Sequence, residues 1–329
     1  MENTQNSKNT NINITNQRES GFTCPAKIRI GTRKSRLAVA QALEVKNRLL
    51  GAFPELTQEQ VEIVKMTTTG DEIQDRHLAE IGGKGLFTKE IEEALFRGEV
   101  DMAVHSMKDM PDTLPDGLVI NCILEREDPR DALISRKVGS IEKLPQGAVI
   151  GTSSVRRQSQ LLAIRPDLKI VQFRGNVITR LEKLDRGDVD ATILAAAGLR
   201  RLEMEKEITD TISTDVMLPA VSQGAIGVEC LADNKHMLEV LSHINHAPSN
   251  TRVSAERGFL KALNGSCSTP IGAYADFRHN GDLYLRCMLS SVDGKVIYRA
   301  ERSGKPDVAE EMGFDAGREI LAKGGDLIV

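Results

Sequence analysis

The 329-residue chain has no tryptophan, and aromatic residues make up only 3% of it. Single-stranded nucleic acid is held by stacking bases on aromatic side chains, so no nucleic-acid partner is expected. No apolar run approaches the roughly eighteen residues needed for a membrane span, so no membrane partner is expected either. The formal net charge is −4, from 43 basic and 47 acidic side chains. Any anion site must therefore be a local cluster rather than a property of the whole surface. The cysteines at 24, 122, 230, 267 and 287 form no CxxC pair. That speaks against a zinc or disulfide framework and for a reducing, cytoplasmic setting. HExxH, GxSxG and paired metal-ligand spacings are missing, and Gly82-Gly83-Lys84-Gly85 lacks the Ser or Thr that would complete a P-loop. No metal is expected.

What is present is an alternation. Residues 1–24 are rich in Asn, Thr, Ser and Gln, lack an apolar signal core, and read as a disordered tail. From Lys27 the chain reads strand (27–31), helix (35–50), strand (61–66), helix (88–98), strand (100–107). The order recurs as strand (148–151), helix (155–164), strand (168–173), helix (177–187), strand (189–198). Ile30-Gly31-Thr32 matches Ile150-Gly151-Thr152, and Arg97-Gly98-Glu99-Val100-Asp101 matches Arg186-Gly187-Asp188-Val189-Asp190. This predicts an α/β protein with two duplicated lobes enclosing a cleft. Lobe 1 would take residues 25–124 and 220–244, the second part being a crossover back, and lobe 2 residues 125–219. Residues 245–329 read as a small α+β domain with a helix (254–263), three strands (271–277, 283–290, 295–302) and a helix (308–324). The stretch 67–87 has no counterpart in lobe 2 and reads as a lid.

Three strand-to-helix junctions carry hydroxyls and arginines: residues 31–35, 151–157 and 174–180. Helix N-termini offer free N–H groups to anions, and guanidinium groups grip carboxylates through paired hydrogen bonds. In parallel sheets such junctions face one cleft, so Arg33, Arg36, Arg156, Arg157, Arg174 and Arg180 predict a polyanion site. Asp109, just past the strand 100–107 and beside Lys108, can stabilise a developing cation or move a proton. His105 lies within that strand and reads as a hydrogen-bonded core residue. Cys122, Cys230 and Cys287 sit in apolar runs, whereas Cys267 lies in a polar Gly/Ser loop and is the candidate nucleophile or attachment point.

These segments together resemble the porphobilinogen deaminase (hydroxymethylbilane synthase) family. The similarity is carried by VHSMKDMP (104–111), EREDPRDALIS (125–135), IGTSSVRRQ (150–158), FRGNVITRL (173–181), LPAVSQGAIGVEC (218–230) and GSCSTPIGAY (265–274), in that order. The resemblance implies lobes like those of a type II periplasmic binding protein, with the chain passing twice between them. It implies a dipyrromethane cofactor bound by a thioether to Cys267, to which four porphobilinogen units are added with loss of ammonia. Water then releases hydroxymethylbilane. It assigns Asp109 as catalytic. Lys108, Ser154, Arg156 and Arg157, with Thr152 and Ser153, would bind the cofactor. Arg33, Ser35, Gln41, Arg174, Gly175, Arg180 and Gln223 would bind substrate and growing chain, and Lys84 and Phe87 would form the lid. A monomer is implied. Arg36 departs from the common pattern, as do Ser222, Ser266 and Ser268; the first two serines stand where glycine is frequent.

Overall fold

Alternating apolar residues turn Ile28 and Ile30 into the core of a strand, and spacings of three and four bury Ala38, Ala42, Val45 and Leu49 on the following helix. Cutting Leu49 to Ala would cost about 2–5 kcal/mol. The structure, a computed structural model, describes residues 25–72, 87–264 and 269–328. The expected tail, Lys84, and Cys267 with Ser266 and Ser268 lie outside the described residues.

In chain order the first elements are β1 (Ile28–Arg33), α1 (Arg36–Ala52), β2 (Val61–Met66), the short α2 (Thr69–Glu72), α3 (Lys89–Phe96), β3 (Met102–Ser106) and β4 (Leu118–Ile123). Next come β5 (Asp131–Ser135), β6 (Val149–Gly151), α4 (Val155–Ile164), β7 (Lys169–Val171), α5 (Val177–Asp185), β8 (Ala191–Ala195), α6 (Ala196–Arg201) and β9 (Asp210–Thr211). The chain continues with β10 (Ile226–Leu231), α7 (Lys235–Ser242), α8 (Ala247–Leu263), β11 (Ile271–Phe277), β12 (Leu283–Ser290), β13 (Ile297–Gly304) and α9 (Ala309–Gly324).

The two α/β sheets share one plan. The first runs β2-β1-β3-β10-β4 and the second β7-β6-β8-β5-β9. In each, the first three strands are parallel and the fourth is antiparallel. The fourth strand is the one that a crossover delivers. β5 enters the second sheet directly after β4 of the first, and β10 returns to the first after the second is complete. This double passage is what the resemblance implies. The third sheet, β11-β12-β13, is antiparallel and packs against α8 and α9 through Phe259, Leu263, Ala316 and Ile320.

Three readings of the sequence need correction. The expected strand 189–198 stops at Ala195, and Ala196, Ala197 and Gly198 open α6 instead. An unbroken apolar run carries no periodicity to tell strand from helix. The expected helix 254–263 starts at Ala247, where Pro248 fits the first turn. The strand read from 100 to 107 ends at Ser106, and the chain then tightens into a 3-10 turn over Met107–Asp109.

Candidate active site

In lobe 1, β1 hands over to α1 at the first polar junction. Ser35 caps the helix, its Oγ accepting from the Ala38 N–H at 3.3 Å. Gln41, buried, donates from Nε2 to Ser106 Oγ at 2.8 Å. Arg33 lies over the Phe87 ring. Asp109 is pushed outward because its neighbours are anchored: Met107 and Met110 are buried beside Ile123, Ala225 and Val253. The Met107 N–H also donates to the Ala225 carbonyl at 3.0 Å. Gly227 faces Met107, and a Cβ there would collide with its sulfur. Asp109 itself is exposed. Arg33, Ser35, Gln41, Phe87, Ser106 and Asp109 line one pocket of about 70 Å³, with His105 in its wall.

In lobe 2 the same junction recurs. Ser154 caps α4, accepting from the Arg157 N–H at 3.4 Å. Thr152 Oγ1 accepts from the Ser154 N–H at 3.2 Å, and Ser153 Oγ from the Phe173 N–H at 3.0 Å. Each of the three hydroxyl oxygens thus accepts a backbone N–H, that of Ser154 as the helix cap, and each still has its own O–H to donate. Arg156 and Arg157 are buried and both grip Asp131. Burial alone would raise the Asp131 carboxyl, but the two guanidinium charges, with hydrogen bonds from Arg156 and Gln223, hold it well below the usual range. Gln223 Nε2 donates to Asp131 Oδ1 at 3.0 Å and to the Pro129 carbonyl at 2.7 Å. At the third junction Asn176 caps α5, and Gly175 has φ +117°, a conformation closed to other residues; a Cβ would also meet Thr179 at 2.9 Å. The turn lets Arg180 Nε donate to the Gly175 carbonyl at 2.9 Å.

Electrostatics join the two halves. Burial and the neighbouring Arg157 and Arg174 charges bring the Arg180 guanidinium down to about 10. Burial also pulls the Lys108 ammonium down; the Asp109 and Asp131 charges oppose that, and the Arg157 and Arg156 charges add to it. Lys108 of lobe 1 thus feels the charges of both Asp109 and the arginine pair of lobe 2. Arg156 Nε is buried without a partner among the described residues. Crowded cations and an orphaned N–H fit a ligand rich in carboxylates, such as a dipyrromethane with an acetate and a propionate on each ring.

His105 is the hydrogen-bonded core residue expected, its Nε2 2.9 Å from Glu229 Oε2. Burial pushes the Cys122 and Cys230 thiols up to about 12 and 11, and Cys287 well above its ordinary value, so all three are inert. Asp131 was not anticipated as a site residue, because an Asp in Asp128-Pro129-Arg130-Asp131 reads as a turn. The signal was the adjacent pair Arg156-Arg157 early in one helix, which needs a counter-ion if it is to be buried. Among the described residues no helix is long and apolar enough to cross a membrane, and no three His, Cys, Asp or Glu side chains gather as metal ligands.

Two family models match the chain: the porphobilinogen deaminase dipyromethane cofactor binding domain over residues 28–239, and the porphobilinogen deaminase C-terminal domain over 250–322. A curated relative, the chloroplastic porphobilinogen deaminase of Oryza sativa subsp. japonica, is 52% identical over 301 residues, 91% of this chain and 84% of the relative. Among solved structures the chain is similar to a nutrient binding protein from Burkholderia cenocepacia bound to methionine. That match has 17% identity and TM-score 0.41, covering 65% of this chain and 90% of the other. A periplasmic substrate-binding protein of an ABC transporter from Coxiella burnetii gives 16%, 0.40, 68% and 93% in the same order. With both family models matched in sequence, and more than half of the aligned residues shared with the rice protein, the chain belongs to the porphobilinogen deaminase family.

Proposed function

We propose that the turn bearing Lys108 and Asp109 is the reaction centre, and that the surrounding arginines hold carboxylates. As a member of its family, the chain condenses four porphobilinogen units with loss of ammonia and releases hydroxymethylbilane by hydrolysis. When bound, the dipyrromethane supplies the free pyrrole α-carbon to which substrate is joined.

Lys108, Ser154, Arg156 and Arg157, with Thr152 and Ser153 beside them, hold the cofactor's acetates and propionates. Arg33, Ser35, Arg174, Gly175 and Arg180 face the incoming substrate and the growing chain. Gln41 and Gln223, whose amides meet Ser106 and Asp131, back that face. Phe87 lines the pocket, and the resemblance assigns it with Lys84 to a lid. Cys267 is the attachment point: its S–C bond forms as an aminomethyl C–N bond breaks, the thiol proton leaving with ammonia. Asp109 accepts hydrogen bonds from pyrrole N–H groups and stabilises positive charge as the amine departs. It also gives a proton to the leaving amine and takes one from the ring's α-carbon. The arginines cannot do this, because they stay cationic at neutral pH.

The same reading makes the protein a cytoplasmic monomer with no nucleic-acid partner, divided into lobe 1 (25–124 and 220–244), lobe 2 (125–219) and a third domain (245–329). The rice relative is named as chloroplastic. The observation that carries the reading is the pocket that gathers Asp109 with Arg33, Ser35, Gln41 and Phe87. Intact mass tests it. The purified protein should carry the added mass of a dipyrromethane, Cys267→Ala should lack it, and Cys122→Ala should keep it. An unmodified chain, or an adduct that survives in Cys267→Ala, would overturn the attachment.

A further inference from the structure

We propose that Asp131 is the positioning residue for the cofactor site: its buried carboxylate, set where the chain enters lobe 2, fixes Arg156 and Arg157 in the orientation that receives the dipyrromethane carboxylates. The proposal rests on the reading above.

Asp131 has no exposed surface, so it cannot touch a ligand in the cleft. Its two oxygens are divided between the arginines. Arg157 donates to Oδ1 from both Nε and Nη2, at 3.0 and 2.7 Å, and Arg156 donates to Oδ2 from Nη1 at 2.8 Å. Two bonds from one edge of Arg157 fix the plane of its guanidinium. A third, from Nη1 to the Ile193 carbonyl at 2.9 Å, stops it from swinging. Arg156 is held likewise by the Leu218 carbonyl at 2.6 Å.

A guanidinium carries five N–H bonds, so both arginines keep donors in reserve, including the unpartnered Arg156 Nε. The carboxylate is itself tied to a sheet rather than a loop. Asp131 opens β5, pairs with Ala195, and accepts from the Ile212 N–H through its carbonyl at 2.9 Å. Gln223, from the segment returning to lobe 1, donates to it as well. Both crossings between the lobes therefore meet at this one side chain.

Charge explains why a carboxylate is needed there. The Arg157 charge disfavours the charged forms of Arg156 and Lys108, and the Arg156 charge that of Lys108. One anion brings the two guanidiniums together but cannot neutralise all three cations. Asp109 offsets Lys108, so the arginine pair on its single carboxylate keeps a net positive charge. An asparagine would keep the shape, lose the charge, and turn an NH2 donor toward one of the guanidiniums.

The test is the rate at which cofactor-free protein gains the dipyrromethane mass on incubation with porphobilinogen. Intact mass is followed over time and expressed per folded molecule from the thermal melt. Asp131→Asn should load at least tenfold more slowly than the unaltered protein. Asp131→Glu keeps the charge but displaces it by one methylene, and should fall between the two. A residue that only supports the fold would lower the melting temperature without changing loading per folded molecule. Loading of Asp131→Asn at the unaltered rate would overturn the proposal. Should that variant fail to fold, loading of Asp131→Glu at the unaltered rate would do the same. An unaltered protein that gains no mass would instead remove the cofactor reading, and this proposal with it.

Discussion

The guanidinium carbon of Arg33 lies 4.2 Å from the centre of the Phe87 ring. A cation over an aromatic face is worth about 0.5–2 kcal/mol. The contact braces a side chain assigned to the substrate's carboxylates. Phe87→Ala should therefore raise KM for porphobilinogen by roughly 2- to 30-fold, the range of that energy, with a smaller change in kcat. Steady-state consumption of porphobilinogen by equally loaded preparations measures it; an unchanged KM would show that the ring does not brace Arg33.

Asp109→Asn should fold normally, because the side chain is exposed and its turn is anchored by Met107 and Met110. Turnover should fall by about 10²–10³, the usual effect of removing an electrostatic stabiliser. Asp109→Glu keeps the charge at a different reach and should retain more activity than Asn. The comparison needs samples matched for adduct content by mass. Near-normal turnover of the Asn variant would move the reaction to another anion.

Ser222 sits at φ 60°, fully buried, and its Oγ has no partner among the described residues. The left-handed backbone costs a non-glycine residue about 1–2 kcal/mol, and an unsatisfied buried hydroxyl about 1–3 kcal/mol. Glycine gives back up to about 1 kcal/mol through its freer unfolded chain. The N–H bond of residue 222 to Glu256, 2.6 Å, does not depend on the side chain. Ser222→Gly should thus raise the melting temperature by at least about 2 °C. A lower melting temperature would mean that the hydroxyl has a partner after all.

Glu92 on α3 is almost fully buried, and burial, with the nearby Glu229 charge, pushes its carboxyl up. Its folded-state value lies above the unfolded one, so the folded chain holds this proton more tightly. Stability from this group is therefore full below the ordinary glutamate range and is lost as pH rises through the folded value. Glu92→Gln removes the ionisation. Its melting temperature, relative to the unaltered protein, should be higher at pH 8 than at pH 4. A pH-independent difference would show that Glu92 ionises as freely folded as unfolded.

Where polarity alternates or repeats at helical spacing, the elements could be read from the residues alone. Val61–Met66, Val155–Ile164, Ile271–Phe277 and Leu283–Ser290 match their expected bounds residue for residue. β4 and β5 were not anticipated. β5 is buried at every position, so no alternation marks it, and an aspartate opens it. The site shows the same divide. Arg33, Ser35, Gln41, Phe87 and Asp109 do gather around one pocket, because strand ends and helix caps announce themselves locally. Asp131 is tied to Arg156, Arg157 and Gln223, partners far along the chain, and no local pattern records such a pairing.

The return of β10 to the first sheet sets an order of assembly. Ser106 pairs with Ile226, and among the described residues β4 pairs only with this late strand. The second sheet is contiguous, its strands all falling between Asp131 and Thr211. During synthesis from the N-terminus, β3 and β4 emerge with open edges and wait while lobe 2 is made. The lobe synthesised second can close first. The lobe that carries Asp109 is finished only when residues 226–231 slot between strands made more than a hundred residues earlier. The turn that bears Asp109, whose Met107 hangs on the Ala225 carbonyl, is thus set among the last parts of the two lobes.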